Sequence, residues 1–163
     1  MKVELQEIVD ALEVQYDDYF YFLDRQTGQV EYLSRDMLGL VEEGGAIDEV
    51  LEWQHREFEV VQTLFADWDR FVKLPTQHDG HEWEIMRDFA ESVGPERFSN
   101  DLQDAIHGAG AFGHFKSTLR RYRREQDWYD FKDAALRRIA IGWCEENGIE
   151  YTSARRRRIP SEI

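Results

Sequence analysis

Two histidines and two carboxylates crowd one short stretch, His78-Asp-Gly-His81-Glu82. Imidazoles and carboxylates can hold zinc, but a structural zinc site takes four ligands, most often with cysteine among them. The chain has a single cysteine, so thiolates cannot complete the set. His107 and His114 could supply a second pair only if the fold carried them to the same place. His78 and His81 are thus the metal-ligand candidates. They are set against a plainer reading, a polar loop opening a helix, and the sequence favours that loop. No cofactor is expected.

Cations form the second group. Lys116, Arg120, Arg121, Arg123 and Arg124 fall within nine residues, and Arg137 and Arg138 follow. On one continuous helix Lys116, Arg120, Arg123 and Arg124 would share a face. Such a patch could hold an anion or the phosphates of a nucleic acid. The competing reading pairs these cations with acids of the same fold or of a second copy, and the acid excess of the chain favours it.

The remaining chemistry is sparse. Cys144 lies inside Ile139-Ala-Ile-Gly-Trp-Cys144 with no activating neighbour in sequence, and reads as a small buried hydrophobe. Acid pairs such as Asp17-Asp18, Glu42-Glu43 and Asp67/Asp69 are numerous because acids are numerous. None carries a mark of general acid-base work. Gly108, Gly110 and Gly113 spell GxGxxG, but a dinucleotide loop needs a strand before it, and Ser99–His107 reads as helix. No nucleophile motif or phosphate loop is present.

Charge is unevenly spread. Residues 1–115 hold 8 Lys and Arg against 26 Asp and Glu, and residues 116–163 hold 12 against 8, giving a net charge of −14. So acidic a first part repels phosphates and disfavours nucleic acid there. No run approaches the roughly 20 apolar residues of a membrane span, and the acidic N-terminus has no signal-peptide core. A soluble cytoplasmic protein is expected.

These residues must be positioned by elements that the patterning predicts. Val3, Leu5, Ile8, Val9 and Leu12 mark a first amphipathic helix. Tyr19–Leu23 and Gln29–Leu33 flank the Asp24–Gly28 turn and predict a β-hairpin. Asp36–Gly45 reads as loop, and Ile47, Val50, Leu51 and Trp53 as a short helix. Residues 58–65 are ambiguous between helix and strand, whereas 70–74 predict a strand ended by Pro75. Trp83, Met86, Phe89, Ala90 and Val93 define one helix face, and Pro95 opens another helix through Ile106. Phe112, Phe115, Leu119 and Tyr122, then Trp128, Phe131, Ala135, Ile139 and Trp143, give two aromatic stripes at helical spacing. The simplest use of Phe112, Phe115, Trp128, Phe131 and Trp143 is core packing. Asn147-Gly148 caps the second helix, and residues 149–152 suit a last strand. The expectation is a single acidic α+β domain over residues 1–152. It would hold a small antiparallel sheet, a hairpin plus short strands, packed with several helices. Residues 108–149 would form a C-terminal helical hairpin, and 153–163, with Arg155–Arg158, a frayed basic tail.

The end of the chain carries a resemblance. Gly110-Ala-Phe112, Phe115-Lys116, Trp128-Tyr-Asp-Phe131 and Trp143 with Asn147-Gly148-Ile149 resemble the bacterial Uncharacterised Protein Family 0158. The first helix, the Thr27-Gly28 turn, the 71–75 segment and Met86-x-x-Phe89 are similar too, so the likeness spans roughly residues 1–152. Gly113 and His114 depart from the family pattern, where larger, more basic residues are expected. The resemblance implies no activity.

With an acid excess and no catalytic signature, the expected role is non-enzymatic: binding or regulation through an acidic surface that meets a protein partner, or a second copy. Nucleic-acid binding through the Arg/Lys cluster is the alternative, and a metal-dependent hydrolase at His78/His81 a second one.

Overall fold

Residues 2–76 and 81–153 are described by the computed structural model, His81 by its backbone alone. In chain order the elements are β1 (Val3–Glu4), α1 (Leu5–Glu13), β2 (Tyr19–Asp24), β3 (Val30–Ser34), α2 (Arg35–Glu42), α3 (His55–Ala66), β4 (Phe71–Lys73), α4 (His81–Ser92), α5 (Glu96–Ala105), α6 (Ala111–Tyr122), α7 (Glu125–Glu146) and β5 (Tyr151–Thr152). Three 3₁₀ turns, Ile47–Glu49, Glu52–Gln54 and Trp68–Arg70, join them. The α+β class stands, with a small antiparallel sheet and C-terminal helices. No helix among the described residues is long and apolar enough to cross a membrane. The chain divides into two compact units, one formed up to Pro75 and again from Ala140, the other Thr76–Ile139.

In the first unit the hairpin forms where alternation and turn chemistry predict it. Phe20 pairs with Leu33 and Leu23 with Val30, and β4 joins the other edge of β2 to give the antiparallel order β3-β2-β4. Gly28 takes φ 76°, the left-handed conformation that glycine adopts without strain. Asp24 accepts from the Gln26 amide at 2.9 Å, closing the turn. Phe22, Leu33, Met37, Phe58, Val61, Leu64 and Phe71 form the core between the sheet and its helices.

Two expectations are corrected here and one ambiguity is resolved. The segment read as loop is largely α2: Ser34 Oγ accepts from the Met37 amide at 3.2 Å, and Met37 is buried. The ambiguous 58–65 segment is α3, burying Phe58, Val61 and Leu64 at helical spacing. The short helix expected over 47–53 is instead two 3₁₀ turns separated at Val50, whose backbone is extended. Residues 149–152 do form a strand, but β5 pairs parallel with β1, Val3 opposite Tyr151. Within this unit the Trp143 indole N–H also donates to the Lys73 carbonyl at 3.2 Å.

In the second unit Phe89 of α4 is the packing centre. Its ring meets those of Phe98, Phe115, Trp128 and Phe131 edge-on, at centroid distances of 5.3 to 6.4 Å. Met86 and Ala90 are buried with it, but Trp83 is exposed and Ile85 takes the buried place. The Trp83 N–H instead donates to the Ile106 carbonyl at 3.3 Å. Pro95 caps α5 from just outside. The elbow between α6 and α7 is made by Arg123 at φ 57°, with the Arg124 amide donating to the Leu119 carbonyl at 3.0 Å.

Candidate functional site

The Arg123 elbow decides what the cation cluster can be. The chain reverses there, so Lys116 and Arg120 lie on α6 while Arg124 belongs to the turn into α7. The single helical face expected to carry all four is therefore broken. Arg121 pairs with Asp101 at 3.0 Å, and the Tyr122 hydroxyl donates to the same carboxylate at 2.5 Å. That bond holds the proton on oxygen and, with burial and the Asp101 charge, raises the tyrosine pKa. Arg124 pairs with Asp127, donates to the Gly94 carbonyl at 3.0 Å and lies 4.9 Å from the Phe98 ring centroid. Lys116 and Arg120 form no ion pair with a described residue. Farther along α7, Arg137 is half-buried and Arg138 exposed.

Lys116 and Arg120 border a recess of about 280 Å³ with Leu119, Glu125, Trp128 and Tyr129. Of the aromatic stripe residues in this unit, Phe115 and Trp128 are buried and Phe131 half-buried. Phe112 stands outside the stripe: it is 43% exposed, with the Lys116 ammonium 4.5 Å from its ring centroid. It sits in the first turn of α6, where helical spacing alone does not ensure a partner. Trp143 is buried in the first unit.

His107 and His114 line one open groove of about 530 Å³ with Asp101, Asp104, Ser117 and Arg121. His78 and the His81 side chain lie outside the described residues, as does the Arg155–Arg158 tail. Among the described residues, no group of three or more His, Cys, Asp or Glu is arranged to hold a metal ion. The helix α5, not a strand, precedes Gly108, so the glycine pattern there lacks the context of a dinucleotide loop. Cys144 is fully buried, and burial together with the Glu145 charge pushes its thiol up to about 11. At neutral pH it is a protonated, unreactive group.

One feature of the first unit was not flagged by sequence reasoning as a site. Between and within the two 3₁₀ turns before α3, Leu51 is 62% exposed and Trp53 76% exposed. Asp48, Glu49 and Glu52 stand beside them, all exposed. Val50 alone of this stretch packs against the core. The reading of 47–53 as one short helix did not separate Val50 from Leu51 and Trp53.

The sequence model of the Uncharacterised protein family (UPF0158) matches residues 1–162, nearly the full chain. The chain belongs to this family. A UPF0158 relative, the UPF0158 protein PA5073 of Pseudomonas aeruginosa, is 26% identical over 151 residues, covering 92% of this chain and 86% of that protein. No solved structure matches the chain significantly. Membership in UPF0158 assigns no activity to the groups described above.

Proposed function

We propose that this UPF0158 member is a non-enzymatic cytoplasmic binding or regulatory protein. It meets a basic protein partner through the acidic-aromatic corner at Ile47–Trp53. The observation that carries this reading is the exposure of Trp53 and Leu51 among Asp48, Glu49 and Glu52. A large apolar side chain held in water contributes nothing to its own fold, and aromatic anchors with a charged rim are the usual composition of a protein interface. The charge of the segment fits a partner rich in Lys and Arg. Residues 1–75 hold 6 Lys and Arg against 18 Asp and Glu. Such acids steer association and weaken with added salt, while the tryptophan supplies affinity.

The test is capture from lysate of the protein's own cells by the parent and by Trp53→Ser and Leu51→Ser, at low and high salt. The reading expects a basic protein held by the parent at low salt, released at high salt, and not held by Trp53→Ser. Equal capture by the parent and both variants would contradict it. A polynucleotide track along the Arg/Lys cluster is less well supported, because Arg121 and Arg124 are already engaged by Asp101 and Asp127.

A further inference from the structure

The recess at the α6–α7 elbow is lined by residues of the second unit alone, and its reading does not depend on that of the Ile47–Trp53 corner. Lys116 and Arg120 are one helical turn apart on α6 and neither has a carboxylate partner among the described residues. The neighbouring Arg121 and Arg124, by contrast, each find an acid, so these two charges face the recess uncompensated by an ion pair with a described residue. Two adjacent cations match a ligand group carrying about two negative charges, which is what a phosphomonoester carries at neutral pH. A carboxylate would neutralise only one of them.

The rest of the lining specifies what the phosphate is attached to. Tyr129, 48% exposed, stands at the recess; Phe112, outside the lining, only holds the Lys116 ammonium over its ring. An exposed ring beside cations, here Tyr129, provides a stacking surface for a flat heterocycle. The one acid of the lining, Glu125, only accepts hydrogen bonds when ionised. It suits ribose hydroxyls or an exocyclic amine, donors that a phosphotyrosine ring lacks. At about 280 Å³ the recess is at the small end of ligand pockets, enough for one ring system and one charged group.

We infer that this recess binds one nucleotide unit: its phosphate between Lys116 and Arg120, its base against Tyr129, its sugar or amine hydrogens on Glu125. The unit can come from a free mononucleotide or from the 5′-phosphorylated end of a single strand, since an internal phosphodiester carries only one charge, and the experiment separates the two. Uridine 5′-monophosphate is titrated calorimetrically into the full chain, and a 5′-phosphorylated single-stranded oligouridylate labelled at its 3′ end is followed by fluorescence anisotropy. The variants are Lys116→Gln, Arg120→Gln and Tyr129→Ala, with Arg97→Gln as a charge control outside the recess lining and circular dichroism to verify folding. Each of the three recess variants should weaken binding roughly tenfold, while the control binds as the parent does. Binding of the mononucleotide supports the site with a free ligand. Binding of the oligonucleotide alone, lost in the same variants, supports it with a strand. No binding of either, binding that the folded recess variants leave unchanged, or tighter binding of a phosphotyrosine peptide would overturn the inference.

Discussion

Asp24 is nearly fully buried, and a charged carboxylate there needs compensation. Burial pushes its pKa up. The Arg70 guanidinium, donating through Nε and Nη2 at 2.8 Å each, the Gln26 amide and the Arg70 charge outweigh this and leave the pKa below the ordinary value. A carboxyl with a depressed folded pKa binds protons less readily when folded than when unfolded. Its contribution is complete above its unfolded pKa of roughly 3.9 and is lost as the pH falls through the folded value. Urea titrations across the acid range should therefore show a loss of stability below about pH 4 that Asp24→Asn reduces. Arg70→Met should lower the urea midpoint at neutral pH without changing the slope, because it strands the buried carboxylate. Cys144 gives a third expectation. With its thiol at about 11, a thiol-reactive dye at neutral pH should label the unfolded chain readily and the folded chain hardly at all. The sequence pointed to Asp24 as a turn residue and to Cys144 as an inert core thiol. Arg70 was not legible as the partner of Asp24, since the two are 46 residues apart and meet only because β4 pairs with β2.

At the scale of elements, the Phe89 cluster holds the second unit together. Phe89→Ala removes the ring that four others pack against and should cost about 3–5 kcal/mol. Phe112→Ala should stay within about 0.5 kcal/mol, since its ring is exposed and joins none of the rings packed around Phe89. Thermal unfolding of both variants separates the two aromatic roles. The contrast also marks where helical spacing stops being informative. Spacing gave the same weight to Phe112 and Phe115, and to Trp83 and Met86, yet only the second of each pair is buried. Elements with local signals were legible: the hairpin through its glycine turn, and the end of α7 through Gly148 at φ 65°. Helix α2 was not, because its cap Ser34 is also the last residue of β3, and the pair Gly44-Gly45 drew the reading toward loop. The elbow at Arg123 had no local signal at all, since a non-glycine residue in the left-handed region is adopted against its intrinsic preference.

For the whole molecule, the division of charge is the property most directly read from sequence. Acids dominate residues 1–75 and unpaired cations remain at the α6–α7 elbow. What composition could not supply is which apolar groups stay in water beside those charges, because exposure depends on tertiary contacts that place Val50 inside and leave Leu51 and Trp53 outside. The role proposed for the Ile47–Trp53 corner is docking of a basic protein. The most direct measurement is the affinity of the purified captured partner for the parent and for Trp53→Ala, taken at low and high salt. Trp53→Ala should lose about 2 kcal/mol or more, roughly thirtyfold, at either salt, and the parent affinity should fall as salt rises. An affinity unchanged by Trp53→Ala and indifferent to salt would contradict it.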